Sequence, residues 1–230
     1  MIKAIAFDLG DTLVEYEGLH LSWVEHYPEA LRNLAAFLGL SVNAAQIDRG
    51  SLVLRRYNTR LNPRENEFSF AEILPELLPC LGLATTSENE YNCATAFFRL
   101  FRQRLRCFPE TKTTLQKLCQ EGVTIGIFTD VPYGMPRELV LEDLGLASLE
   151  IFSDALLTSR EVGYRKPSIR TLQALAARLG CEAREMSYVG NERKDVEVAQ
   201  AFGCHSILID RAGHGADWGQ DRTIASLSEL

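Results

Sequence analysis

An apolar run, Ile5-Ala6-Phe7, breaks off at Asp8, and the turn-prone residues Gly10, Asp11 and Thr12 follow at once. The pattern reads as a buried strand that ends in a loop. In an open α/β sheet, ligands bind in the crevice beyond the carboxyl ends of the strands, so Asp8 has the placing of a functional carboxylate. It also lies near the amino terminus, and the core is expected to be built outward from this strand. From about Phe108 to the end, strand and helix patterns alternate. Leu115 and Leu118 fit a helix ahead of a strand over 123–128. Residues 136–144 read as a second helix, ended by Gly145. A third covers 168–179, with Ser168 after Pro167 as N-cap and Gly180 as the stop. A strand over 186–189, a helix over 195–202 closed by Gly203, and a strand over 205–209 with Asp210 beyond it complete the series. The stretch 211–220, with three glycines, reads as a surface loop, and 223–227 as an edge strand. This alternation predicts a Rossmann-like, doubly wound, mostly parallel sheet. Asp8, Thr129, Lys166 and Asn191 are then expected to converge at its carboxyl edge.

Residues 15–106 break that rhythm. They read as helices over 19–38, 43–57, 70–81 and 88–105, with breaks at Gly39, Asn62-Pro63 and Thr85-Thr86-Ser87. Leu31, Leu34, Ala35 and Leu38 share one helical face, which reads as core. The chain therefore divides into a core, 1–14 with 107–230, and an inserted all-helical unit, 15–106. No internal repeat or low-complexity segment interrupts it.

Composition excludes several classes of protein. The 230 residues suffice for one large or two small domains with a substantial core. A net charge of -7 and a pI near 5.2 argue against nucleic acid or an anionic membrane as partner. No signal peptide is legible at the amino terminus, and no apolar run approaches the ~20 residues of a membrane helix. The cysteines Cys80, Cys93, Cys107, Cys119, Cys181 and Cys204 are scattered without a C-x-x-C pair. Free thiols in a cytoplasmic protein are expected, and zinc is not.

Four segments carry the chemistry. They are Asp8-Leu9-Gly10-Asp11-Thr12, the strand 123–128 leading to Thr129-Asp130, Gly163-Tyr164-Arg165-Lys166-Pro167, and Gly190-Asn191-Glu192-Arg193-Lys194-Asp195. Taken singly, each has a plain reading. Asp8 caps a helix, Lys166 is a solvated loop lysine, Thr129 is structural, and Asp195 sits in a first helical turn. Together and in this order, they resemble the four motifs of the haloacid dehalogenase-like hydrolases. The resemblance covers the chain outside 15 to about 106, and that insertion is similar to the helical cap of many such enzymes. Movement of a cap excludes water and selects substrate.

The resemblance implies a cytoplasmic, Mg²⁺-dependent hydrolase of a small phosphorylated metabolite. Asp8 would be the nucleophile that forms an aspartyl-phosphate. Lys166, Thr129 and the Asp130 position would bind phosphate. The metal would be held by Asp8, the carbonyl of Gly10, Asn191 and Asp195, with Glu192 assisting. Three departures stand out. Gly10 occupies the place of the acid/base carboxylate two residues after the nucleophile. Asp11, one residue on, is a possible substitute, although a turn-capping role is the plainer reading; the turn is expected to need a residue without Cβ at Gly10. Asn191 brings no charge where an acid is usual, and Asp130 adds negative charge near a site for an anion. Two rivals share these residues. One is metal-independent carbon–halogen hydrolysis by Asp8, which the missing second carboxylate suits and the acidic Asp130 and Glu192 do not. The other is a degenerate member that binds a phosphorylated ligand or a protein. His20, His26, His205 and His214 fall in none of the motifs.

Overall fold

The structure, a computed structural model, describes residues 2–19 and 22–230, with the backbone alone for Ser153 and Asp154. The first strand, β1 (Ala4–Phe7), is buried along its length. Its alternate side chains feed two cores, Ile5 and Phe7 on one face and Ala4 and Ala6 on the other, as the two-residue period of a strand requires. A loop leads to β2 (Val14–Tyr16).

Four helices follow: α1 (Tyr27–Phe37), α2 (Ala44–Tyr57), α3 (Phe70–Leu81) and α4 (Glu90–Arg102). Capping boxes start α2 (Asn43 with Gln46) and α3 (Ser69 with Glu72), and Asn89 caps α4. The chain returns through β3 (Leu105–Cys107), which pairs antiparallel with β2, Tyr16 opposite Leu105. The stretch 15–106 is therefore not helical to its ends: a two-stranded ribbon roots it, and the last helix stops short of the expected 105. The first helix begins at Tyr27 rather than 19, with Pro28 in its first turn and Trp23 ahead of it at φ 55°. Residues 20 and 21 of that expected helix, His20 included, lie outside the described residues.

The rest of the chain gives α5 (Thr111–Gln120), β4 (Thr124–Thr129), α6 (Arg137–Leu146), β5 (Leu156–Thr158), α7 (Ser159–Val162), α8 (Arg170–Leu179), β6 (Met186–Gly190), α9 (Arg193–Phe202), β7 (His205–Ile209) and β8 (Arg222–Ile224). The main sheet runs β5-β4-β1-β6-β7-β8, and every neighbouring pair is parallel. After β1 the chain builds outward through β4 to β5, then crosses to β6 and continues to β8. β1 is thus the topological switch point, and its carboxyl end opens into the crevice.

Several boundaries moved. Gly145 lies inside α6, and the left-handed residue that follows the helix is Ser148, at φ 57°. Ser168 does not cap α8; its carbonyl accepts from the Thr171 hydroxyl at 2.7 Å, and the helix starts at Arg170. Both β5 and α7 went unforeseen, being three and four residues long. The edge strand is 222–224, and Leu227 opens a short 3-10 turn instead. One apolar cluster joins the sheet to the inserted helices through Phe7, Tyr27, Leu31, Phe70 and Phe97. Each such side chain contributes roughly 1.5–3 kcal/mol by leaving water. No described helix is long and apolar enough to cross a membrane.

Candidate active site

Strand β1 carries Asp8 to the switch point, where the carboxylate is 8% exposed. The fully buried Lys166 ammonium lies 2.7 Å from Asp8 Oδ1, 2.7 Å from Asp195 Oδ1 and 3.0 Å from the Tyr188 hydroxyl. Burial alone would lower the Lys166 pKa, but Asp195 and Asp8 hold it well above its ordinary value. Burial pushes the Asp8 carboxyl up to about 7, against the pull of Lys166.

Asp195 lies in the first turn of α9. Its Oδ2 accepts the backbone N–H groups of Asn191 (3.1 Å) and Glu192 (2.9 Å). A Cβ at Gly190 would stand 2.4 Å from Asp195 Cγ, so this turn accepts only glycine there. The Thr12 hydroxyl donates to Asn191 Oδ1 at 3.3 Å, tying the first and fourth motifs together. Thr129 closes β4 beside Asp8.

Asp130 lines the cavity with its carboxylate engaged within the protein. Its Oδ1 accepts the Lys166 backbone N–H at 3.1 Å, and its Oδ2 meets Lys194 Nζ at 2.9 Å. Burial works against its charge, but Lys194, Arg165 and Lys166 hold its carboxyl well below the usual range. The negative charge expected there is neutralised within the protein. Glu192 likewise spends its carboxylate on Arg60, 2.9 Å from Nη1, and on Lys194 at 3.4 Å. Burial opposes its ionisation, yet Lys194 and Arg60 hold its pKa near about 2.

A cavity of about 140 Å³ opens beside Asp8. Gly10, Asp11, Thr129 and Asp130 line it with Arg60, Arg165 and Lys194, whereas Lys166, Asn191 and Asp195 stand behind its wall. The expectation about Gly10 is reversed. A Cβ at Gly10 would meet nothing within 4 Å, and the residue in the left-handed region is Asp11, at φ 57°. Burial raises the Asp11 carboxyl pKa, and Glu192 adds to the effect.

The sequence reading missed Arg60, Lys194 and the Arg165–Glu67 ion pair, in which Glu67 also accepts from the Ser159 hydroxyl at 2.6 Å. Lys194 lay in plain view within the fourth segment; Arg60 sits in a polar loop that gives no periodic signal. The remaining histidines lie elsewhere: His26 is edge-on to Phe101, and His214 is 3.5 Å from Asp210. His205 begins β7.

A magnesium ion asks for oxygen donors, few of them charged, and leaves room for water and phosphate. The Asp8 carboxylate, the Gly10 carbonyl and Asn191 Oδ1 have that chemistry. Asp195 is already committed to two N–H groups and Lys166. Among the described residues, no cluster of three His, Cys, Asp or Glu side chains is arranged around a metal.

A family model for haloacid dehalogenase-like hydrolases matches residues 2–203, and the chain belongs to that family of enzymes. It is 34% identical over 124 residues to a phosphoglycolate phosphatase of Yersinia pseudotuberculosis, a stretch covering 54% of this chain and 50% of that protein. The match thus spans half the length of that relative. A glyceraldehyde 3-phosphate phosphatase of Methanothermobacter thermautotrophicus is 28% identical over 220 residues, 91% of this chain and 86% of its own. Among solved structures, a HAD phosphatase from Thermococcus onnurineus matches with a TM-score of 0.67 at 25% identity, over 100% of this chain and 96% of that one. A 2-haloacid dehalogenase from Pseudomonas syringae pv. Tomato DC3000 matches with a TM-score of 0.65 at 24% identity and the same coverage, a likeness of fold.

Proposed function

We propose that the chain is a Mg²⁺-dependent phosphate monoester hydrolase acting through an aspartyl-phosphate on Asp8, and that it favours esters with good leaving groups. The observation that carries this reading is the Lys166 ammonium, buried and 2.7 Å from both Asp8 and Asp195, behind a cavity whose wall includes Asp8. The phosphatases among its relatives support it.

Lys166 grips Asp8 Oδ1, which leaves Oδ2 to attack phosphorus while the ester oxygen departs with its electron pair. The ammonium offsets charge that would otherwise repel a phosphate dianion. The Thr129 hydroxyl and backbone N–H groups after β1 bind the phosphoryl oxygens, with Lys194 and Arg60 adding positive charge. Water then splits the aspartyl-phosphate and frees phosphate. Asp8, the Gly10 carbonyl and Asn191 would hold Mg²⁺, which supplies further charge neutralisation at the phosphoryl group. Asp195 contributes by fixing Lys166 and the turn that presents Asn191. Gly10 offers no acid for the leaving oxygen, and Asp11 is the carboxylate nearest in sequence to that task. The inserted unit, 15–106, acts as a cap over the core formed by 1–14 and 107–230: it brings Arg60 and Trp23 into the cavity wall. The six free thiols fit a cytoplasmic setting, and the phosphatases among its relatives fit a small phosphorylated metabolite as substrate.

A panel of aryl, acyl and alkyl phosphates, assayed with Mg²⁺ and with EDTA, tests this. Turnover is expected with the metal only and to vanish in Asp8→Asn. That variant should stay folded, since Lys166 keeps Asp195 and Tyr188 as partners. Phosphatase activity that persists in Asp8→Asn would sink the covalent mechanism. Hydrolysis of a 2-haloacid, but of no phosphate, in EDTA would identify the carbon–halogen reaction instead.

A further inference from the structure

Two unlike groups of side chains line the cavity. Ion pairs link Arg60, Glu192, Lys194 and Asp130. Ring contacts join Trp23 to Tyr16 and Tyr133, and the wall also includes Met135, Val140 and the carboxylate of Asp143. Trp23 stacks on Phe101 at 3.8 Å and meets Tyr16 edge-on at 6.0 Å. The Tyr133 hydroxyl is 2.5 Å from that of Tyr27, which also receives the Asn58 amide at 2.6 Å.

This wall is held under strain. Among the described residues, four that are not glycine have φ in the left-handed region, Asp11, Trp23, Tyr133 and Ser148, and the first three all line this cavity. For bulky side chains that conformation is a genuine outlier, and it persists where a functional site demands it.

Asp143 is 2% exposed, and its Oδ1 accepts from Arg102 Nε at 2.6 Å. Arg102 is not its partner alone: Nη2 also pairs with Glu142 at 2.9 Å. One guanidinium therefore faces two carboxylates and offsets the charge of Asp143 only in part. An ionised carboxylate offers about four acceptor positions, so the Arg102 bond leaves room for a further donor.

We propose that the aromatic part of this wall is a slot for an aromatic leaving group, and that Asp143 selects rings bearing a cationic, amine-type tip over those bearing a carboxylate. The proposal rests on the reading of Asp8 as the reacting carboxylate. The aryl oxygen leaves without much protonation, which suits a site with glycine at position 10. A carboxylate at the tip would meet Asp143 with like charge.

Three probes decide it: phenyl phosphate, 4-(aminomethyl)phenyl phosphate and 4-carboxyphenyl phosphate. Their binding to Asp8→Asn is measured by calorimetry, and their kcat/KM by turnover in the parent. The amine should bind at least about tenfold more tightly than the carboxylate, which corresponds to about 1.4 kcal/mol. In Asp8→Asn/Asp143→Asn that ratio should fall towards one, with phenyl phosphate little changed. Should the double variant fail to fold, the ratio in Asp8→Asn still decides. Equal binding of the three esters, a preference for the carboxylate, no binding of any, or a ratio that survives Asp143→Asn overturns the proposal. Selective binding to Asp8→Asn without turnover by the parent overturns the phosphatase reading and leaves the slot standing.

Discussion

At Gly10 and Asp11, two neighbouring residues have traded the places that the local backbone would assign them. The open position carries no side chain, and the left-handed one carries an aspartate. That conformation costs an L-residue roughly 1–2 kcal/mol, somewhat less for Asp, and a glycine nothing. The double change Gly10→Asp, Asp11→Gly is therefore expected to leave the melting temperature unchanged or raise it. It should speed alkyl phosphates most, within the ~10²–10⁴ that a general acid contributes. Side-by-side rates on an aryl and an alkyl ester check this; an equal gain on both would show that leaving-group protonation was not the lack. Asn191 gives the second test at this scale. Its Oδ1 is held by Thr12, and a carboxylate there would add charge to the donor set. Asn191→Asp should lower the melting temperature in EDTA, through repulsion with Asp8 and Asp195, and shift the Mg²⁺ midpoint to lower concentration. A midpoint that stays put or rises would remove Asn191 from the metal's surroundings.

Among the elements, the capped helices were the easiest to foresee. Asn43 with Gln46 and Ser69 with Glu72 signal their helices within four residues of sequence. The ribbon of β2 and β3 was hidden, because Tyr16 and Leu105 become a strand pair only by meeting across 88 intervening positions. The join between the inserted helices and the core is equally non-local. At Gly134, φ is 62° and an added Cβ would lie 1.9 Å from the Phe68 carbonyl oxygen, just ahead of α3. Gly134→Ala must push that backbone away, and it is expected to destabilise by at least about 2–3 kcal/mol. Urea unfolding measures the loss; a change within about 0.5 kcal/mol would mean that the two segments are free to part.

For the molecule as a whole, Asp143 makes stability depend on pH. Burial raises its carboxyl to about 6 from an ordinary 3.8, against the pull of Arg102. The folded protein therefore binds a proton that the unfolded chain has released. Its contribution to stability is fully present below pH 3.8 and is lost as pH rises through about 6. Relative to Asp143→Asn, which does not titrate there, the parent should lose on the order of 3 kcal/mol between those limits and remain level above them. Chemical denaturation of both proteins at four or five pH values reads the difference. A constant gap would mean that Arg102 alone governs the carboxylate.

What the sequence determined by itself is whatever depends on short spacing. The run that ends at Asp8, the alternation after Phe108 and the order of the four segments were enough for the parallel sheet and the family. Asp8, Thr129 and Asn191 were legible because each ends or follows a strand, and a parallel sheet brings its carboxyl ends to one edge; Lys166 was legible only from its place in the order of the four segments. Tertiary structure decided the charge balance around them. Arg60 meets Glu192 across 132 positions, and Arg102 meets Asp143 across 41. Asp130 gained Lys194 as its partner, and a tryptophan and a tyrosine were forced into left-handed backbone around one cavity. Coulomb interactions and packing act on distance in space. A local pattern places a carboxylate at a strand end, but only the folded chain sets which ammonium or guanidinium stands beside it.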